Sequence, residues 1–433
     1  MPSAVELLNQ RNHPQRQALT DEMHVRRFPP FTAPARIFQV VVITTDEPTD
    51  SSWQHAAELL THYGLHPPSR GKYLNAQLRH LAFSWEKHSE FSTYSFIDPA
   101  PFSDPFDSPT LADSLPLDWI AEMPGRTLRA TQVALLPRRS PEPTDAMLAS
   151  WFSRGELVCC DVMGGEARIW SNFLRSSNGL GRLLIHDRGL VGDGDPSRLV
   201  RRLQEIGNYR NMALLGLPVA QHFTPALSAL DKRLAAVSRD IAADAVPDDE
   251  LMRKISKQAA DLASLAAETG YRMSATKAYA QLVKDRMSGL NVVRIPGHQT
   301  LVDFTDRRLT PAVRTCESFS NRTEALSQHA AWASSLMRMR IETALENQNR
   351  DLLDSMNRRA QLQLKLQQTV EGLSVIAISY YAIGILGYVF KALSHYEPAW
   401  DPTLLAGVAA PFVVIGAWLL LGRLHRKLAR SIE

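Results

Sequence analysis

The sequence predicts an α+β protein: an N-terminal mixed, mostly antiparallel α/β domain, then a long-helix bundle or stalk, and a C-terminal two-helix transmembrane hairpin. Three observations predict it. Short runs rich in β-branched and aromatic residues, bounded by Gly, Pro, Asp or Ser, recur through the first 196 residues. From Asp195 onward the apolar spacing turns helical and stays so. Two charge-free runs then follow, 19 residues from Gly372 to Phe390 and 21 from Pro402 to Gly422. A helix rising about 1.5 Å per residue needs close to that length to cross a hydrocarbon layer roughly 30 Å thick.

Taken in order, "MPSAVELLNQRNHPQRQ" has no apolar h-region and so does not read as a secretory signal. The expected strands are "RIFQVVVITT", "HLAFSW", "FSTYSFI", "TLRATQVALL", "ELVCCDVM", "ARIWSNFL" and "GRLLIHD". Several lie too close in sequence for helical crossovers, which favours antiparallel pairing. "SSWQHAAELLTHYG" reads as a helix ended by Gly64, and Asp145 to Phe152 as another. "FIDPAPFSDPFDSPTLADSLP" reads as a proline-rich surface loop. The expected divisions are 1–196 for the α/β domain, 197–311 for a helical region, 312–371 for a stalk helix and 372–433 for the hairpin with its basic tail.

In the helical region, Asp195 is the expected N-cap and Pro196 the first residue of a helix that stops before Pro218. A helix from Pro225 to about Ala243 follows. The next begins after "VPDDE", with Leu251, Ile255, Ala259, Leu262 and Ala266 on one stripe and Gly270 as a candidate interruption. From Ala312 to Glu371 there is neither Gly nor Pro, so these 60 residues would form one helix about 90 Å long. Ile341, Leu345, Leu352, Leu362 and Leu366 give it a coiled-coil-like seam, broken by Gln348, Ser355 and Arg359.

Composition excludes several functions. Lys and Arg number 48 against 45 Asp and Glu, a net charge of +3 that makes no global case for nucleic-acid binding. Cys159, Cys160 and Cys316 form no CxxC and no disulfide framework, which suits a reduced, cytoplasmic body. A Walker loop, GxSxG, HExxH and a GxGxxG after a strand are all missing from the sequence, so no enzymatic activity and no cofactor are expected.

The hairpin carries its own signals. Arg358, Arg359 and Lys365 precede it, and Arg423, Arg426, Lys427 and Arg430 follow it, while its loop holds one lysine against Glu397 and Asp401. The positive-inside rule then places both termini in the cytoplasm, and the same basic residues suit anionic lipid headgroups. Tyr388, Tyr396, Trp400 and Trp418 suit the interfacial belts. Gly384, Gly387, Gly407 and Gly416 are small enough for close helix packing in lipid, within one hairpin or between chains, and Pro411 is an expected kink. Glu371, at the cytoplasmic mouth, would collect cations only in a ring of chains; a solvated carboxylate is the plainer reading.

The strongest polar cluster is "DEMHVRRF" with "WEKHSEF". Glu22, His24, His88 and Glu90 would form a metal or acid/base site if the fold brings them together, and surface ion pairs account for them more simply. "GDGDPS" offers two carboxylates in a loop that suit helix capping better than calcium.

These stretches, with "RLQEIGNYRNMALLGLPVA", "GYRMSATKAYAQLV", "RRLTPAVRTC" and "LLDSMNRRAQLQLKLQQTVEGLSVIAISYY", resemble the bacterial family known as domain of unknown function 3422 across nearly the whole chain. His24, Arg26 and Phe28 match its first landmark, and Val25 and Arg27 depart from the usual Ala and Pro. The resemblance implies a membrane-anchored protein of the bacterial inner membrane and is silent on activity. The layout is also similar to that of CorA-type magnesium channels, but "LGYVFKALSH" stands where those carry Gly-Met-Asn. A related layout in a mitochondrial inner-membrane family of organising proteins makes a non-transport role reasonable. The expectation is a multi-pass homo-oligomeric binding or scaffold protein, partnered by membrane lipids and a cytoplasmic protein, with a CorA-like channel as the alternative.

Overall fold

The computed structural model of the chain describes residues 3–24, 28–106, 111–152, 155–190, 196–243, 246–393 and 401–429, with the backbone alone at 18, 21, 22, 24 and 424–429. It divides into two compact units, Met1–Ala333 and Ser334–Glu433.

Two short helices open the first unit, α1 (Ala4–Gln10) and α2 (Arg16–His24). A sheet domain follows: β1 (Ala35–Ile43), α3 (Ser51–His62), β2 (Tyr73–Leu78), β3 (Leu81–Lys87), β4 (Phe91–Asp98), α4 (Leu117–Ala121), β5 (Arg126–Leu136), α5 (Asp145–Trp151), β6 (Val158–Val162), β7 (Ala167–Ser171) and β8 (Gly181–Asp187). Then come α6 (Pro196–Leu214), α7 (Gly216–Ala243), α8 (Asp248–Ser288), β9 (Val293–Arg294), α9 (Leu301–Leu393) and α10 (Pro402–Ala429). Among the described residues the strands form one nine-stranded sheet, ordered β2-β3-β4-β1-β5-β8-β7-β6-β9. The β5–β8 pair is parallel and the others are antiparallel.

The sheet is covered on both faces, which is why its central strands read as continuous apolar runs such as Val40–Val41–Val42. On one face, Val41, Val133, Ile169 and Ile185 pack against Leu199, Leu203 and Ile206 of α6 and Tyr279 and Val283 of α8. On the other face, Phe83, Trp85, Tyr94 and Phe96 meet Leu59 and Leu60 of α3 and Trp119 of α4, and farther along Trp170 and Leu184 meet Leu148 and Trp151 of α5. Each fully buried large side chain contributes about 1.5–3 kcal/mol, so these layers dominate the stability of the unit. A second core joins α7, α8 and α9 through Leu227, Leu234, Leu262, Met273, Cys316 and Phe319.

The fold departs from expectation at several points. The helix from Pro196 ends at Leu214, before Pro218 as expected, but the next one, expected from Pro225, already begins at Gly216: Pro218 falls in its first turn, where a proline lacks only an N–H with no intrahelical partner, and the helix continues through Pro225. Gly270 does not interrupt α8; it sits exposed, and tertiary packing on both sides outweighs its weak propensity. The helix expected from Ala312 begins at Leu301, because Thr300 caps it: the Asp303 N–H donates to Thr300 Oγ1 at 3.0 Å while Asp303 accepts from the Thr300 N–H at 3.2 Å. Helices α6 and α8 and the start of α9 lie on the sheet, α7 packs on α8 and α9, and the compact unit runs as far as Ala333. Asp195 and most of the "GDGDPS" loop lie outside the described residues, as do Tyr396 and Trp400.

The second unit holds the rest of α9 and α10. Leu345, Leu352, Leu362 and Leu366 are exposed, so among the described residues nothing covers these positions of the expected seam. The apolar run of α9 after Glu371 and that of α10 are both long enough to cross a membrane, and almost none of either is buried.

Candidate functional site

The face of the sheet beneath α6 is not wholly apolar. Odd-numbered positions of β1, β4 and β5 point to α6, and at the middle of that face they are Gln39, Thr93, Ser95, Arg129 and Thr131. A polar layer results. Gln39 Nε2 donates to Ser95 Oγ at 3.0 Å, and Asn208 Nδ2 donates to Gln39 Oε1 at 3.2 Å. Arg129 Nη1 donates to Gln204 Oε1 at 2.6 Å, Asn208 Oδ1 at 2.9 Å and Gln39 Oε1 at 3.4 Å. Thr131 Oγ1 donates to Gln204 Oε1 at 3.2 Å.

Beside this layer lies a cavity of about 250 Å³. Its floor is Arg129, Thr131 and Gly181 of β5 and β8 with Ser171 of β7; its roof is Leu203, Ile206, Gly207 and Arg210 of α6; its rim is the exposed hairpin segment Leu174, Arg175 and Gly179. Gly207 has a mechanical reason. A Cβ there would meet the Arg129 guanidinium carbon at 2.7 Å, so only glycine lets the helix pass over that side chain. Arg210 lies over the Phe173 ring at 4.6 Å and the Phe304 ring at 5.5 Å, and these two rings stack at 4.5 Å. Its Nη1 is buried without a hydrogen-bond partner. Burial and the neighbouring Arg210 charge push the Arg129 guanidinium down to about 9, and burial pushes Arg210 down to about 10.

The residues singled out from the sequence lie elsewhere. Glu90 is almost fully buried and accepts from Arg272 of α8 at 2.9 Å, a strap between the β3–β4 hairpin and the helical layer. His88 stacks on Phe91 at 4.2 Å and stands 3.7 Å from Glu86. The side chains of Glu22 and His24 are not described, and among the described residues no three His, Cys, Asp or Glu gather as metal ligands. Cys159, Cys160 and Cys316 are free and buried. In the second unit Glu371 accepts from Gln367 Nε2 at 3.5 Å, and Ser374 Oγ returns to its own helix at the Val370 carbonyl. Arg358, Arg359, Lys365 and Arg423 are exposed, and the side chains of Arg426 and Lys427 are not described. A Cβ added at Gly384, Gly387, Gly407 or Gly416 meets nothing within 4 Å, and Pro411 lies inside an unbroken α10.

Sequence reasoning missed the cavity. Two signals pointed to it: an arginine near the start of a mostly apolar strand, "TLRATQVALL", and a glycine on the buried stripe of an uninterrupted helix, "RLQEIGNYRN".

Fold and site together define a class: a sheet domain with helices on both faces and an arginine-lined cavity, continued by helices that include two candidate membrane spans. The chain belongs to the family described as Protein of unknown function (DUF3422), whose model matches residues 11–428. No curated protein and no solved structure matches it.

Proposed function

We propose that the chain is a binding and scaffold protein of the bacterial inner membrane, anchored as a homo-oligomer by a hairpin of α9 and α10 with both termini in the cytoplasm. One observation carries the reading: the apolar residues of both spans, including Leu373, Ile376, Tyr381, Ile385, Leu404, Phe412, Ile415 and Leu420, are exposed in the chain. Water around so much apolar surface is costly, and lipid removes the cost. Arg358, Arg359 and Lys365 before the hairpin and Arg423, Arg426 and Lys427 after it, all at its cytoplasmic end, support the orientation. The uncovered seam and the glycines with open space beside them support assembly between chains. The sheet domain is then the part that engages a cytoplasmic ligand or protein partner, without catalysis.

Topology is testable by thiol labelling, because burial pushes the Cys159 thiol up to about 12 and the Cys160 thiol to about 11, which keeps both unreactive. In intact cells a membrane-impermeant maleimide is expected to label Ser394→Cys in the outer loop, and to label Ser431→Cys only after permeabilisation. The reverse pattern, or release of the protein from membranes by alkaline carbonate, rules the proposed anchor out.

A further inference from the structure

We propose that the cavity between α6 and the β5–β8–β7 face binds a small organic oxyanion, a phosphate- or carboxylate-bearing molecule, clamped by the Arg129 and Arg210 guanidiniums. The inference names a ligand class for the binding role proposed above and rests on that role, not on the anchor.

The comparison that carries it lies within the protein. Most arginines that this fold draws inward meet a carboxylate or a backbone carbonyl: Arg36 has the Asp98 carboxylate at 2.9 Å, Arg168 has Asp161 at 2.6 Å, Arg272 has Glu90 at 2.9 Å, and Arg182 and Arg202 donate to the Trp151 and Gly289 carbonyls. Arg129 and Arg210 break that pattern. Among the described residues neither forms an ion pair; Arg129 has three amide oxygens, and Arg210 has two ring faces and an orphaned Nη1. Two like charges held close in a poorly hydrated place repel each other, and an anion between them converts that repulsion into attraction. Burial lowers both guanidinium affinities for protons, the same effect read from the other side.

The geometry suits an oxyanion with an organic body. Planar guanidinium forks match the oxygens of phosphate and carboxylate. Phe173, Leu203 and Ile206 add an apolar wall. The cavity volume, about 250 Å³, far exceeds the roughly 10–15 Å³ that admits one water, yet falls just below the ~300–1,000 Å³ of drug-sized sites, so the ligand is small. Gly207 and the exposed rim at Gly179 keep the space open.

The test uses full-length protein in mild detergent, with inorganic phosphate, inorganic pyrophosphate and malonate compared against sodium chloride at equal ionic strength. At least one oxyanion is expected to raise Tm saturably and to titrate calorimetrically, with Kd weakened at least tenfold in Arg210→Gln. A response to phosphate and pyrophosphate alone assigns the phosphate class, and a response to malonate alone the carboxylate class. Arg210→Lys keeps charge but loses the fork, so it is expected to bind several-fold more weakly and localises the site should the Gln variant not fold. No response to any of the three, or an unchanged Kd in both variants, overturns the proposal. Flotation of the same preparation with liposomes reads the anchor separately: silent anions with floating protein sink the cavity alone, and anion binding without flotation sinks the anchor alone.

Discussion

Gly207 and His55 show how far a single side chain can constrain this fold. Alanine is the better helix former by about 1 kcal/mol in a free helix. At Gly207 the methyl would push the Arg129 guanidinium off Gln204 and Asn208, so Gly207→Ala is expected to destabilise by about 1–3 kcal/mol, read as a lower urea midpoint. His55 stacks on Trp119 at 4.4 Å, its carbonyl accepts from the Trp119 indole N–H, and burial lowers its pKa from 6.5 to about 4. The folded state therefore holds it neutral while the unfolded chain takes a proton below pH 6.5. Stability contributed by His55 is complete above that pH and is lost as pH falls towards 4, by at most about 1.4 kcal/mol per pH unit. A His55→Phe variant is expected to flatten that part of the acid-denaturation curve; an unchanged slope would remove His55 as its cause.

Among the elements, glycine behaves in the opposite way in α8. Gly270 is exposed, and a Cβ there meets nothing within 4 Å, so Gly270→Ala is expected to stabilise by about 0.5–1 kcal/mol. A drop in the urea midpoint would mean the helix is strained there. The elements also separate what could be read in advance from what could not. Strands buried on both faces, such as Val40–Val42 and Leu183–Ile185, announce themselves through apolar β-branched runs. The edge strand "YLNAQL" does not, because only Leu74 and Leu78 are buried and its pairing is set by its partner β3 across the Arg79–His80 turn. The β9 pair of residues is too short for any periodic signal. The cavity was hidden for a related reason: its charged residues come from β5 and α6, about 80 positions apart, and only pairing and helix packing bring Arg129 and Arg210 to one space.

At the scale of the whole molecule, assembly is the property most open to measurement. The full-length protein in mild detergent is expected to have the mass of several chains, and Gly387→Leu to shift it towards monomer, since a bulky residue blocks close helix approach. A monomer at every concentration removes the oligomeric part of the proposal; three or more subunits would justify ion-flux assays with Glu371→Gln as control. The sheet carries one more consequence. Its last strand, Val293–Arg294, pairs with β6, and Leu301 and Leu309 of α9 complete its core, whereas the first apolar run begins at Gly372. At about 5–20 residues per second, a ribosome needs roughly 4–16 s to travel from Arg294 to Gly372. Every strand of the body has thus been translated before the first candidate membrane span, and the order of synthesis lets the domain close its sheet before that apolar run is made.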